Sequence, residues 1–140
     1  MAFQPYLSFA GNCRDAFTRY KEIFGGELVL LTFADAPADA GPPGAGVPSD
    51  AVMHAALMAG DGVLMGADDP TGGFDGSIHG MCANFGTADA GEAKRVFDAL
   101  AEDGQVQMPI GETFFSPAFG MCIDRFGTPW MVAADAPPPS

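Results

Sequence analysis

Basic residues are scarce in this 140-residue chain, which has six Lys and Arg against 18 Asp and Glu and a formal net charge of −12. Charge of this sign repels phosphate backbones and anionic lipid headgroups. We therefore expect neither a nucleic acid nor a membrane as a partner. The acidity has two interpretations, solubility alone or a pocket that attracts a cationic ligand, and charge by itself does not choose between them.

Cysteine is also scarce, since Cys13, Cys82 and Cys122 are odd in number, widely spaced and without a C-x-x-C pair. Such a set predicts neither a disulfide framework nor a structural zinc site, so we expect a protein of the reducing cytoplasm. No apolar run approaches the roughly 18 residues of a membrane span. The start of the chain also lacks the basic segment of a signal peptide.

Apolar residues are abundant, because hydrophobic side chains make up 48% of the chain and charged side chains only 17%. A chain of this size buries roughly two-thirds of its unfolded surface when it folds. We therefore expect one globular domain with a core, despite the 19 Gly and 12 Pro residues.

The first half of the chain alternates apolar segments with turn signals. Asn12 and Asp15 have the spacing of a capping pair for a helix that ends at Gly25–Gly26, and Gly60–Asp61 predicts a hairpin. Residues 34–50 are almost all Ala, Pro, Gly and Asp, which predicts a surface loop. The expected strands are Gln4–Ala10, Glu27–Phe33, Ala51–Ala59 and Gly62–Ala67.

After the turn-rich segment 68–77, in which Asp68-Asp69-Pro70 is expected to be a solvated turn, the order of elements begins again. Asp89 and Glu92 have the spacing of a capping pair, so we expect a helix over Asp89–Asp103. The remaining apolar runs predict the strands His79–Phe85, Val106–Glu112, Gly120–Asp124 and Trp130–Ala134.

Each half therefore predicts a strand, a helix and three more strands. Two such halves, near residues 1–70 and 78–136, would each leave one sheet face uncovered, and joining them around a shared cavity would cover both faces. We predict a single α+β domain of two tandem βαβββ modules that form a curved mixed sheet around a cavity, and we expect the function to lie in that cavity.

Four segments carry a resemblance to a known family: YLSFAGN (Tyr6–Asn12), FGGE (Phe24–Glu27), GETFF (Gly111–Phe115) and DRFGTPWM (Asp124–Met131). Together they resemble the PhnB-like branch of the glyoxalase, bleomycin resistance and dioxygenase superfamily, also called the vicinal oxygen chelate superfamily. The resemblance covers nearly the whole chain. It implies paired βαβββ modules and a homodimer.

The resemblance also implies where a metal ion would be bound, because metal-dependent relatives use His, Glu, Gln or Tyr from the first and last strands of the modules. The corresponding positions here lie near Pro5, Met65, Cys82 and Met131, and none of these is a hard-cation ligand. A shift of register admits Tyr6, His79 or Cys82 without completing a ligand set. We therefore assign no metal ligands and no cofactor, and a divalent metal stays open.

Two polar residues are candidates for catalysis. His54, in the apolar run AVMHAALMA, is either an acid or base in a pocket or a hydrogen-bonded structural residue. Glu112, beside an aromatic segment, is a base, a contact for a cationic ligand or a carboxylate satisfied by turn donors. We predict His54 and Glu112 as the catalytic residues.

Aromatic and methionine side chains are candidates for ligand binding, since ring faces bind planar or cationic molecules and methionines form adaptable walls. For each of them a core position is the alternative. Cys82 is expected to be an inert thiol. The predicted ligand-binding residues are Tyr6, Met65, Phe114, Phe115, Trp130 and Met131.

Two functional hypotheses follow for a small organic ligand in the cavity. The first is a lyase, isomerase or dioxygenase that acts on a substrate with adjacent oxygens, polarised by a metal or by His54 and Glu112. The second is a binding protein, similar to bleomycin resistance proteins, whose acidic, aromatic cavity sequesters a cationic or planar compound without reaction. This hypothesis tolerates the missing metal ligands, and the composition favours it. Methyl transfer is not expected, because no strand leads through a Gly-rich turn into a helix.

Overall fold

The computed structural model describes residues 2–35, 48–71 and 73–135. The chain divides into two compact units, Met1–Gly76 and Ser77–Ser140, and the division lies within the turn-rich segment 68–77. Most of the expected loop over residues 34–50 lies outside the described residues. The expectation of a single domain, and of a cavity between its modules, stays a prediction.

The first unit has the expected βαβββ order. Its elements are β1 (Tyr6–Phe9), α1 (Cys13–Phe24), β2 (Glu27–Thr32), β3 (Val52–Ala59) and β4 (Gly62–Asp68). The sheet order is β1-β4-β3-β2, in which β1 runs parallel to β4 and the other neighbours are antiparallel. The β3–β4 hairpin is confirmed, and Gly60 supplies its left-handed residue with a φ of 59°.

The second unit repeats this order. Its elements are β5 (Ala83–Thr87), α2 (Ala90–Ala101), β6 (Gln105–Gly111), β7 (Phe119–Ile123) and β8 (Pro129–Ala134). The sheet order is β5-β8-β7-β6, with β5 parallel to β8. The α+β fold of two tandem modules is confirmed, but the described strands form two four-stranded sheets and not one curved sheet.

Strand β5 begins at Ala83, whereas the sequence predicted a strand from His79. The physical reason is Gly80, whose φ of 76° is left-handed and interrupts an extended segment. The next residue, Met81, is 74% exposed and contributes nothing to the core. The apolar residues of this segment therefore do not form a buried strand.

Each helix packs on one face of its own sheet. In unit 1 the rings of Phe9, Phe17 and Tyr20 form a buried edge-to-face series, with centroids 5.9 and 5.4 Å apart. Phe17 lies so close to β4 that a Cβ at Gly66 would come within 2.8 Å of its ring. Phe97 of α2 approaches Gly120 of β7 to the same distance. These two glycines therefore mark the helix-facing side of each sheet.

The two helices are capped differently. The Asn12 side chain makes no capping hydrogen bond, so its predicted role is wrong, and the buried Asp68 accepts from the backbone N–H of Cys13 at 3.0 Å instead. Asp89 does cap α2, accepting from the Gly91 N–H at 2.9 Å. Glu92, predicted as its capping partner, forms an ion pair with Arg95 at 2.6 Å.

Candidate functional site

Within the described part of unit 1, helix α1 packs on one face of the sheet only, and we name the other face open face 1. Gly66 points toward α1, so its neighbour Met65 points away, because side chains alternate along a strand. Cross-strand partners share a face, and the register pairs Met65 with both Tyr6 and Ala56. By the same rule open face 1 includes Tyr6, Val29, Leu31, His54, Ala56 and Met65, with Ser8, Glu27, Met58, Val63 and Ala67 toward its two ends.

The side chains of open face 1 are mostly apolar, and several of them are accessible. Tyr6 is 52% exposed, Val29 43% and Leu31 40%, whereas Leu7 and Phe9 on the other face are buried. Exposed aliphatic side chains grouped on one sheet face are typical of a binding surface.

The polar group at the centre of open face 1 is a tyrosine–histidine pair. Tyr6 Oη lies 3.1 Å from His54 Nδ1, and the ring centroids are 5.8 Å apart. Partial burial, followed by repulsion from Cys13, raises the pKa of the Tyr6 phenol. The phenol therefore keeps its proton at neutral pH and is available as a hydrogen-bond donor. The sequence named both residues but gave no reason to pair them.

The corresponding face of unit 2, open face 2, has different chemistry. Gly120 points toward α2, so Met121 points away from it, and the register connects Met121 to Met108 and Met131. Met131 in turn pairs with Asn84. Open face 2 includes Asn84, Met108, Met121 and Met131, and also Phe119, which lies two residues before Met121 on β7. The Phe119 ring meets that of Phe115 edge to face with centroids 5.0 Å apart, so the aromatic pair of this face has no polar group.

Trp130 lies on the helix-facing side of unit 2, although the sequence named it as a ligand contact. It is only 3% exposed, and its indole N–H donates to Asp124 Oδ2 at 2.9 Å. Asp124 also accepts from the backbone N–H groups of Phe126 and Thr128 at 2.9 Å. The contacts of Trp130 therefore support a position in the core of unit 2.

The segment between β6 and β7 carries two predicted ligand residues and one predicted catalytic residue. Phe114 is fully exposed and Phe115 is half exposed, and their rings meet edge to face with centroids 5.1 Å apart. Glu112 is exposed. His54 belongs to unit 1 and Glu112 to unit 2, so their pairing stays a prediction.

The positions that the resemblance implied for a metal ion do not fit one. Met65 and Met131 occupy equivalent positions, each beside the first strand of its unit, and a thioether does not suit a hard divalent cation. Cys82 precedes β5, and Asn84 pairs with Met131 as Tyr6 pairs with Met65, so the residue that corresponds to Tyr6 is Asn84. Among the described residues, no group of three or more His, Cys, Asp or Glu side chains is placed to hold a metal.

Asp68 is the residue that sequence reasoning most clearly misplaced. It was expected in a solvated turn, yet it is 6% exposed and accepts hydrogen bonds from Gly11, Cys13 and Val52. No local signal identifies this role, because its partners are 57, 55 and 16 residues away. Asp68 is a structural residue on the helix-facing side, and it does not belong to open face 1.

Comparison with known proteins places the chain in a family, although no family model matches it. It is 37% identical over 140 residues to Protein YjdN of Escherichia coli (strain K12), covering 94% of each chain. The crystal structure of protein PA1353 from Pseudomonas aeruginosa superposes with a TM-score of 0.86 at 41% identity, over 96% of this chain and 98% of that one.

A PhnB protein from Bacillus cereus, described as a putative 3-demethylubiquinone-9 3-methyltransferase, gives a TM-score of 0.75 at 26% identity over 96% and 99% of the chains. The chain belongs to the PhnB-like branch of the glyoxalase, bleomycin resistance and dioxygenase superfamily. A superfamily member from Burkholderia phytofirmans PsJN shares the fold of this PhnB-like chain, with a TM-score of 0.63 at 12% identity over 96% and 100% of the chains.

The homodimer and the cytoplasmic location that were expected for this PhnB-like chain stay predictions. In the part of the chain that the structure describes, no helix is long and apolar enough to cross a membrane.

Proposed function

We propose that this PhnB-like protein binds a small, largely apolar organic molecule on open face 1, with the Tyr6–His54 pair as the polar group of the site. The observation that carries the proposal is the 3.1 Å contact between these two side chains on an accessible aliphatic surface. Ligand sites in proteins are mostly apolar and contain a few placed polar groups, which is the composition of open face 1.

The net charge supports a cationic or planar ligand that is held without reaction. At a formal charge of −12 the protein attracts cations over distances set by the ionic strength. The half-exposed Tyr6 ring offers a π face to such a ligand, and cation–π contacts are favourable where water is partly excluded. A sequestering protein needs no metal ion, which agrees with the presence of the methionines Met65 and Met131 where the resemblance implies metal ligands.

The second candidate is an enzyme of the lyase or isomerase type with His54 as acid or base. It is favoured by the contact to Tyr6, because an imidazole oriented by a second side chain is the usual arrangement of a general acid or base. Methyl transfer is not proposed, since each described sheet has a single parallel strand pair and differs from a doubly wound nucleotide-binding sheet.

The experiment is a titration of ¹⁵N-labelled protein with 1-methylquinolinium and with its neutral isostere 1-methylnaphthalene, followed by amide chemical shifts. We expect both compounds to shift the amides of Tyr6, His54 and Met65, and the cation to bind more tightly. Analysis of the recovered compounds by mass spectrometry distinguishes binding, in which they are unchanged, from catalysis.

Met65 and Met131 provide a matched pair of variants, because they occupy equivalent positions in the two sheets. We expect Met65→Ser to weaken binding by about 10-fold, the effect of losing one to two buried methylene equivalents. Met131→Ser is expected to leave the affinity unchanged. Equal effects of the two substitutions, or no shifts on open face 1 with either compound, would contradict the proposal.

A further inference from the structure

The imidazole of His54 uses only one of its two ring nitrogens within the described structure. Tyr6 Oη contacts Nδ1 at 3.1 Å, and no other described residue hydrogen-bonds the ring. A neutral imidazole carries one N–H and one acceptor nitrogen, so the partner of Nδ1 decides which tautomer is present. The opposite nitrogen, Nε2, is then left with a defined hydrogen-bonding role toward a ligand.

The direction of the Tyr6–His54 hydrogen bond follows from the chemistry of the two groups. A phenol is the stronger acid and a neutral imidazole nitrogen the stronger base, so the favoured arrangement is O–H donating to Nδ1. Burial raises the pKa of Tyr6, which keeps the phenol proton in place. Nδ1 is therefore the acceptor, and the single imidazole proton is on Nε2.

We infer that Tyr6 holds His54 as the Nε2–H tautomer, and that this N–H selects ligands that carry a carbonyl oxygen acceptor beside their apolar body. The inference rests on the proposed function, because it names the group that the ligand presents to open face 1. Tyr6 is a positioning residue in this arrangement, and His54 is the contact. A carboxylate is a poorer ligand than a neutral carbonyl, because the charge of −12 repels anions.

The selectivity comes from the penalty for an unpaired donor. A ligand without an acceptor removes water from Nε2–H and returns no hydrogen bond, which lowers its affinity by about 3- to 10-fold relative to a ligand with one. Sites that hydrogen-bond a ligand group discriminate in this way against analogues that lack it.

The tautomer is tested in the unliganded protein by long-range ¹H–¹⁵N spectra of the imidazoles, recorded where both histidines are neutral. His79, the second of the two histidines, is exposed and serves as the internal reference. We expect His54 Nε2 to be protonated and Nδ1 to be an acceptor, and Tyr6→Phe to move the His54 nitrogen shifts toward those of His79. A protonated Nδ1 in the wild type, or unchanged shifts in Tyr6→Phe, overturns the inference.

The selectivity is tested by comparing 1-methyl-2-quinolone, which has a carbonyl acceptor, with 1-methylnaphthalene, which has none. The affinity ratio of the two probes is measured in the wild type, in His54→Gln and in His54→Asn. Glutamine carries an N–H at the position of Nε2, whereas asparagine reaches only the position of Nδ1. We expect the ratio to fall by about 3- to 10-fold in His54→Asn and to change by less than about 2-fold in His54→Gln.

The outcomes separate the inference from the function on which it rests. If both probes bind open face 1 and the ratio is the same in His54→Asn as in the wild type, the inference is overturned and the proposed function stands. If neither probe nor 1-methylquinolinium shifts the amides of open face 1, the proposed function is overturned, and this inference with it.

Discussion

Units 1 and 2 have the same element order and sheet order but start their helices by different means. In unit 1, Asp68 at the end of β4 accepts from Gly11 and Cys13 at the start of α1. The equivalent position in unit 2 is Ala134, because Phe9 pairs with Asp68 as Thr87 pairs with Ala134. Helix α2 relies on its own Asp89. The start of α1 thus depends on the sheet, whereas the start of α2 is local.

The open faces of the two units differ as much as their helix starts. Tyr6, Val29 and Ala56 on open face 1 correspond to Asn84, Met108 and Met121 on open face 2. Met65 and Met131 keep the same residue type, as do Ala67 and Ala133. One backbone plan therefore carries two unlike surfaces, and the topology alone does not say which of them binds a ligand.

The largest effect is expected from removing the non-local cap. Asp68→Ala leaves three backbone N–H groups without their acceptor, those of Gly11, Cys13 and Val52, and should lower the free energy of unfolding by about 3 kcal/mol. Asp89→Ala removes one exposed capping bond and should cost about 1 kcal/mol. Urea denaturation measures both.

Equal losses of unfolding free energy in Asp68→Ala and Asp89→Ala would contradict the distinction between a helix start that depends on the sheet and one that is local. If Asp68→Ala does not fold, Asp68→Asn replaces it, because asparagine keeps one acceptor oxygen and the shape of the side chain. We expect Asp68→Asn to be less destabilised than Asp68→Ala and more destabilised than Asp89→Ala.

The next effect concerns the glycines that face the helices. A methyl group at Gly66 would lie 2.8 Å from Phe17 and from the Leu7 carbonyl, and one at Gly120 would lie 2.8 Å from Phe97. Each Gly→Ala variant should lose about 1–3 kcal/mol of stability through overpacking. Gly86→Ala is the control, because nothing lies within 4 Å of its Cβ. A stable Gly66→Ala beside an unstable Gly120→Ala would show that only unit 2 packs tightly.

The sequence predicted the elements better than the contacts between them. Helix α1 and the β3–β4 hairpin follow from apolar spacing and from Gly25, Gly26 and Gly60, which are signals within one element. The Asp89 cap was predicted because cap and helix are adjacent in sequence. The capping role of Asp68 was not predicted, because Asp68 reaches the start of α1 only after β1 and β4 have paired.

For the candidate site, the sequence named Tyr6, His54 and Met65 but not their arrangement, and it did not name Val29, Leu31 or Ala56. Tyr6 and His54 are 48 residues apart, and they meet because Tyr6 pairs with Met65, which also pairs with Ala56, two residues from His54. That register comes from the folded sheet. For Trp130 the sequence did not determine on which face of β8 the side chain lies. A shift of one residue moves a side chain to the other face of a strand, and strand boundaries predicted from sequence are less accurate than one residue.

A smaller effect is expected from the buried cysteines, one in each unit. Burial, followed by repulsion from Asp68, raises the pKa of Cys13 from 9.0 to about 12, and burial followed by Asp124 raises that of Cys122 to about 11. The unfolded chain ionises these thiols first. Their contribution to stability is therefore complete below pH 9 and is lost as the pH rises toward 11 and 12.

Urea denaturation between pH 8 and pH 10.5 measures this loss, and Cys13→Ala and Cys122→Ala should each make it smaller. Cys82→Ser is the control, because Cys82 is exposed and its replacement should leave the pH dependence unchanged. A maleimide should label one thiol per native chain near neutral pH and all three in urea. Rapid native labelling of Cys13 but not of Cys122 would show that unit 1 opens more readily than unit 2.

The smallest effect compares one exposed ion pair on each helix. Glu92 precedes Arg95 on α2, whereas Glu22 follows Arg19 on α1, and the two contacts are 2.6 and 3.4 Å. Glutamate on the N-terminal side is the orientation that complements the helix dipole. Glu92→Gln should therefore cost about 0.5 kcal/mol and Glu22→Gln close to zero, with both differences vanishing in about 1 M salt. Arg95 lowers the pKa of Glu92, so the contribution of Glu92 is present above its ordinary pKa of 4.5 and is lost as the pH falls below it. An equal cost at both positions would mean that the helix dipole does not distinguish the two units.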